Sequence, residues 1–155
     1  MSILKHVLET KPPFAKPANI IHGIPFQLVT VRPAGFPHSF YEELWHLNYW
    51  LHFSLALIGG ENPSVPQHSS GSFPVDNENL TENAWQTLLK RVKEGLEMAS
   101  LLAQNETELG RQLDPKRTVE DELIVVASHN AYHFGRMVAL RQILGVWSTD
   151  LGESW

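Results

Sequence analysis

Three long stretches of this chain repeat their apolar residues at helical spacing, and two of them open on a quartet that caps a helix. Ser39-Phe40-Tyr41-Glu42 has the form in which a hydroxyl and a carboxylate satisfy the free N–H groups of a first turn. It predicts a helix from Phe40 to Ile58, with Leu44, Leu47, Leu51, Leu55 and Ile58 on one stripe and Trp45, Trp50, Phe53 and Leu57 widening it. So wide a stripe implies a largely buried helix, ended by Gly59-Gly60. The next begins near Asn79 or Thr81 and carries Trp85, Leu88, Leu89, Val92, Leu96, Ala99 and Ala103 at helical spacing. Thr118-Val119-Glu120-Asp121 is the second capping quartet, and its helical pattern persists to Leu144 before Gly145.

The remaining segments are shaped by breakers. Pro12, Pro13, Pro17, Pro25, Pro33 and Pro37 confine an early helix to a short piece around Ala18 to Gly23. Glu61 to Asp76, rich in Pro, Ser and Gly, reads as a surface loop and as the candidate for lining a substrate site. Asn105 to Arg117 is a polar connection. No Asn-Gly or Asp-Gly hairpin signal occurs, and Gln27-Leu28-Val29-Thr30-Val31 is the only short strand-like run, so a sheet is not expected. The expectation is an all-α protein: one domain over residues 1–155, a four-helix bundle with a metal site in its interior.

Composition narrows the function. The chain of 155 residues is 43% apolar and 19% charged, a balance that supports a packed core. A net charge of −5 and no basic run longer than a pair such as Lys90-Arg91 argue against nucleic acid as a partner. With no cysteine, thiolate metal sites and a cysteine nucleophile are excluded, so any metal must take N and O ligands. Met1-Ser2-Ile3-Leu4-Lys5 lacks the apolar run of a secretory leader, and no stretch has the roughly 18 apolar residues of a spanning helix. A cytoplasmic protein without membrane contact is the expectation.

Histidines carry the chemistry. Residues four apart on a helix are separated by about 40° around its axis and about 6 Å along it, so His129 and His133 can reach one ion. They continue the row Val126, His129, His133, Met137, Leu140, Leu144 and so point where the apolar stripe points. Two buried imidazoles each need a partner and repel if both are charged, whereas a divalent metal satisfies both in the neutral state. Partly exposed histidines bonded to neighbours or water would share this spacing. Asn130 follows the first histidine where a zinc protease has glutamate, so that mechanism lacks its base.

His46, His52 and His68 are the candidates for a third ligand. His46 lies on a row with Trp50, Phe53 and Leu57, while His52 is about 240° further round the same helix, so both cannot face one site. Glu43-Leu44-Trp45-His46 has the Glu-x-x-His form of di-iron bundles, but no second copy occurs and no acidic residue lies from Leu123 through Leu144. Glu43 is therefore read as a solvated residue that stabilises the first helical turn.

Glu42-Glu43-Leu44-Trp45-His46-Leu47-Asn48-Tyr49-Trp50 and His129-Asn130-Ala131-Tyr132-His133-Phe134-Gly135-Arg136, with the tail Leu140 to Trp147, resemble the DinB-like family of helical metalloproteins. The resemblance spans nearly the whole chain. It implies a bundle in which His46, His129 and His133 hold zinc or nickel, with remaining positions open to water or substrate. Relatives in that family include thiol-dependent S-transferases and a mycothiol-dependent isomerase, which implies a low-molecular-weight thiol as a second cofactor.

Three histidines and an open position fit a catalytic site better than a structural one, which normally takes four protein ligands. The leading expectation is a metal-dependent transferase or hydrolase acting on a small molecule, thiol transfer being preferred. Arg136, Arg141, His52, Tyr49 and Tyr132 are candidates for supporting the ligands or walling the substrate. The rival is a metal-binding or stress-response bundle without turnover, acting as a homodimer.

Overall fold

The computed structural model describes residues 15–75 and 79–148; Met1 to Lys5, Pro12 and Pro13 lie outside them. Helix α1 spans Pro17–Ile21, α2 Phe40–Ile58, α3 Glu82–Ala103, α4 Glu106–Leu109 and α5 Val119–Ile143. Both capping quartets form as expected. Ser39 Oγ accepts from the Glu42 N–H while the Glu42 carboxylate accepts from the Ser39 N–H, and Thr118 and Asp121 do the same at the start of α5. Thr81 caps α3. Gly60 and Gly145 follow α2 and α5 with φ of 86° and 71°, a left-handed backbone that is cheap only for glycine.

Three long helices and a short first one make the helical bundle. Helix α2 is central and packs on both α5 and α3, and α1 packs on α5. Phe40, Leu44, Leu47 and Leu51 of α2 share a core with Val92 of α3 and Leu123, Met137 and Leu140 of α5, none more than 1% exposed. A Cβ at Gly95 would sit 2.7 Å from Leu51 Cδ2 and 3.3 Å from His52 Nε2. The absence of a side chain there sets how closely α3 approaches α2. Among the described residues no helix is long and apolar enough to cross a membrane.

Two local expectations are corrected. The chain does contain a sheet, a two-stranded antiparallel hairpin of β1 (Gln112–Asp114) and β2 (Arg117–Thr118). Strands of three and two residues are too short to show an alternating pattern, and the Asp114 carboxylate shapes the turn by accepting from the Lys116 N–H at 2.9 Å. The strand-like run from Gln27 to Val31 instead contains part of a 3-10 turn, Phe26–Leu28, with Val29 fully buried as a core side chain. Arg141 is corrected as well. It is 2% exposed and donates to the carbonyls of Asn19, Ile20 and His22 at the end of α1 and to that of Val146. It fastens α1 and the tail to α5 and does not wall a substrate site.

Candidate metal centre

Helices α2 and α5 run in opposite directions past each other, and this brings His46, His129 and His133 together. One ring nitrogen from each lies within 4.8 Å of the others. His46 and His129 are half-buried and His133 is 5% exposed. The ring centroids are 4.4 to 5.2 Å apart.

Hydrogen bonds decide which nitrogen faces the cluster. Ser72 Oγ donates to the Ser69 carbonyl at 2.6 Å, so at His46 Nδ1, 2.9 Å away, it accepts. The Ser72 carbonyl lies 3.2 Å from the same nitrogen. Nδ1 of His46 therefore carries the proton, and its Nε2 lone pair points inward. His133 Nδ1 donates to Glu43 Oε2 at 2.6 Å, which turns its Nε2 inward too. Glu43 Oε1 in turn accepts from Arg136 Nε at 2.8 Å and from a terminal guanidinium nitrogen at 2.7 Å. This carboxylate-histidine pairing is the usual support of a metal-binding imidazole.

The electrostatics keep His46 and His129 neutral. Burial, then the proximity of His133, pushes His46 down to about 4. Burial, then His133 and His46, does the same to His129, also to about 4. Neutral imidazoles are the form that ligates. Burial alone would raise the Glu43 carboxyl, but the bonds from His133 and Arg136 outweigh it and hold Glu43 below the ordinary carboxylate range.

The donor set fits a divalent metal. His46 Nε2 and His129 Nε2 stand 3.3 Å apart, close to the about 3.3 Å expected of two nitrogens each ~2.05 Å from one tetrahedral zinc.

Other candidates fall elsewhere. His52 Nε2 bonds the Arg91 carbonyl on the α3 side, and His68 precedes the 3-10 turn Ser69–Ser72 outside the cluster. Tyr49 stacks on Trp45 at 5.8 Å and meets Trp50 edge on. Tyr132 is 61% exposed, with its ring 5.0 Å from His133 and within 5.6 Å of the Arg136 guanidinium carbon.

Several residues here were not anticipated. Glu43 is 1% exposed and inside the site, which corrects its reading as a solvated residue. Its signal was available: it lies one turn before His46 on the same face, so a histidine turned inward brings Glu43 with it. The described part of the loop after α2, residues 61–75, braces the site. Ser72 is fully buried against His46, and Phe73 is sandwiched between His46, at 4.2 Å and 16°, and His38, at 4.0 Å and 12°. Nothing in the local sequence marks Ser72 or Phe73 for this.

No curated protein and no solved structure matches the chain. The model of the DinB superfamily does, over residues 18–137, a span that contains α1 through most of α5 and all three histidines. With that match covering well over half of its length, the chain belongs to the DinB superfamily.

Proposed function

We propose that this protein is a divalent-metal-dependent enzyme in which His46, His129 and His133 hold zinc or nickel and a small-molecule substrate reacts beside them. The observation that carries this reading is the inward pairing of Nε2 atoms at His46 and His133, each set by a bond from its Nδ1. Three ligands leave coordination positions for water or substrate, the mark of a catalytic rather than a structural site.

When bound, the ion supplies Lewis acidity that makes a water or a small thiol nucleophilic near neutral pH. The protein's own groups have other tasks. Glu43 accepts a hydrogen bond from His133 Nδ1–H and Arg136 keeps Glu43 ionised, so Glu43 does not serve as a general base. Ser72 holds the proton on His46 Nδ1. With all three imidazoles engaged, a nucleophile with an accessible pKa is favoured, and a thiol has a lower pKa than water. Thiol transfer is the preferred reaction. The thiol sulfur bonds to an electrophilic carbon, the leaving group departs with the bonding pair, and the thiol proton passes to solvent. Hydrolysis by water is the second form of the same site.

Elemental analysis of the purified protein tests the reading. About one equivalent of zinc or nickel is expected after supplementation, with turnover of low-molecular-weight thiols against alkylating electrophiles. No stoichiometric metal would overturn it. A second reading, a homodimeric metal-binding bundle without turnover, is favoured by Ile124, Val125 and Tyr132, apolar side chains of α5 that are 52%, 53% and 61% exposed. Metal-loaded protein that is dimeric by gel filtration and inert across the thiol and hydrolysis panels would select it.

A further inference from the structure

Arg136 spends only part of its guanidinium on Glu43. Its Nε and Nη2 both donate to Glu43 Oε1, at 2.8 and 2.7 Å. A guanidinium presents its N–H donors in one plane, so the edge on Glu43 leaves the edge formed by Nη1 and Nη2 to other partners. On that side Nη1 lies 3.5 Å from the Tyr132 hydroxyl, the outer limit of a hydrogen bond. Glu43 is 1% exposed, so the edge bonded to it faces inward, and the 24% of the Arg136 side chain that is exposed belongs to the other. Tyr132, 61% exposed, lies beside it at the surface.

The surroundings hold this edge in place and set its charge. The guanidinium carbon is 5.8 Å from the Phe36 ring centroid and 5.6 Å from that of Tyr132, cation–π contacts that fix the plane of the group. The Tyr132 ring also meets His133 edge on at 5.0 Å, so it forms one rim from the ligand histidine to the guanidinium. An extended chain covers about 3.4 Å per residue, so a molecule two or three residues long spans that rim. Arg136 and Glu43 cancel in charge as a pair. Since His46, His129 and His133 ligate as neutral rings, a divalent ion in the site leaves it with surplus positive charge, and an anion is favoured.

We propose that the outer edge of Arg136, together with the Tyr132 hydroxyl, anchors a carboxylate of the substrate. That carboxylate is carried about 8 Å from the atom that meets the metal, as in a small peptidic thiol. Its two oxygens accept from Nη1 and Nη2 in the bidentate geometry that suits a guanidinium, and the Tyr132 hydroxyl donates to one of them. Glu43 then serves two ends of the site: it orients His133 through one oxygen and holds Arg136 through the other. The position of the thiol end rests on the proposed metal chemistry, whereas the carboxylate anchor stands without it.

The test compares 6-mercaptohexanoate with 6-mercaptohexanol by calorimetry on the zinc-loaded full chain. The acid should bind about tenfold more tightly than the alcohol. Arg136→Gln should erase that preference, and Tyr132→Phe, at an exposed position, should reduce it about threefold. The ratio of the two affinities is the readout, because Arg136→Gln also disturbs Glu43 and shifts both. In ¹⁵N-labelled protein, hexanoate should move the Arg136 Nε–H resonance with or without zinc, and hexanol should not. Equal affinity for acid and alcohol, a preference that survives Arg136→Gln or Tyr132→Phe unchanged, or an unmoved Arg136 resonance at saturating hexanoate would each overturn the proposal. Should Arg136→Gln fail to fold, Tyr132→Phe and the wild-type spectra decide. A wild type that takes no zinc but binds hexanoate at Arg136 would sink the metal reading and keep the anchor.

Discussion

The interface of α2 and α5 buries a carboxylate at each of two places, and the two do different things. Glu43 comes from α2, is 1% exposed, and receives an imidazole and an arginine from α5. Glu122 comes from α5, is 3% exposed, and receives a hydroxyl from α2 and an arginine from the hairpin. In both, the guanidinium offsets the cost of a buried charge, and such pairs contribute little net stability compared with apolar packing. The partner at the other oxygen separates them. A carboxylate on an imidazole N–H sets the tautomer of the ring and strengthens its other nitrogen as a ligand, whereas a carboxylate on a serine hydroxyl only ties two helices. Burial and charge pairing alone do not distinguish a site from a strut.

Removing the ligands should break the comparison outright. His46→Ala, His129→Ala and His133→Ala are each expected to abolish stoichiometric metal, measured by elemental analysis, while the corresponding change at the other carboxylate, Glu122→Gln, leaves it intact. Full metal content in His46→Ala would mean that the third ligand lies elsewhere. Next in size is the loss of Glu43. Glu43→Ala leaves the buried His133 Nδ1–H without its acceptor and the part-exposed Arg136 without its partner, and should cost about 1–3 kcal/mol in chemical denaturation. The milder Glu43→Gln should lower metal affinity by roughly 10–100-fold, against no change for Glu122→Gln. Equal metal affinity in the two Gln variants would erase the distinction drawn between the carboxylates.

A smaller effect is expected away from both. At Gly95→Ala, overpacking against the fully buried Leu51 costs ~1–3 kcal/mol and the gain in helix propensity returns about 1, so a loss near 1 kcal/mol is expected with metal content unchanged. The most gradual effect is that of pH. His46 and His129 titrate near 4 in the folded protein against about 6.5 when unfolded, so between these values the unfolded chain binds more protons. Metal-free protein should keep its full stability above pH ~6.5 and lose it progressively as the pH falls towards about 4. Thermal melts across that range check this, and the His46→Ala/His129→Ala double variant should show a flatter profile.

The capping quartets at Ser39 and Thr118 and the glycines after Ile58 and Leu144 were legible because each acts within a few residues of backbone. His129 and His133 were legible for the same reason: a spacing of four is a statement about one helix. The hairpin from Gln112 to Thr118 was not, since two residue pairs carry no period, and Arg141 was misread because its carbonyl partners at Asn19, Ile20 and His22 are remote in sequence. Glu43 shows the limit most clearly. Its neighbour along the helix, His46, was recognised as an inward residue, yet a carboxylate near a helix start has an adequate local explanation, and only the partner 90 residues away reveals another.

The sequence by itself determined where the helices begin and end and which histidines share a face, because helix geometry and capping are local physics. Tertiary structure alone decided that His46 meets His129 across 83 residues of chain, and that Ser72 and Glu43 choose which nitrogen His46 and His133 present. Those outcomes depend on how α2 and α5 pack against each other and on where the loop after α2 returns, and no short-range pattern encodes either.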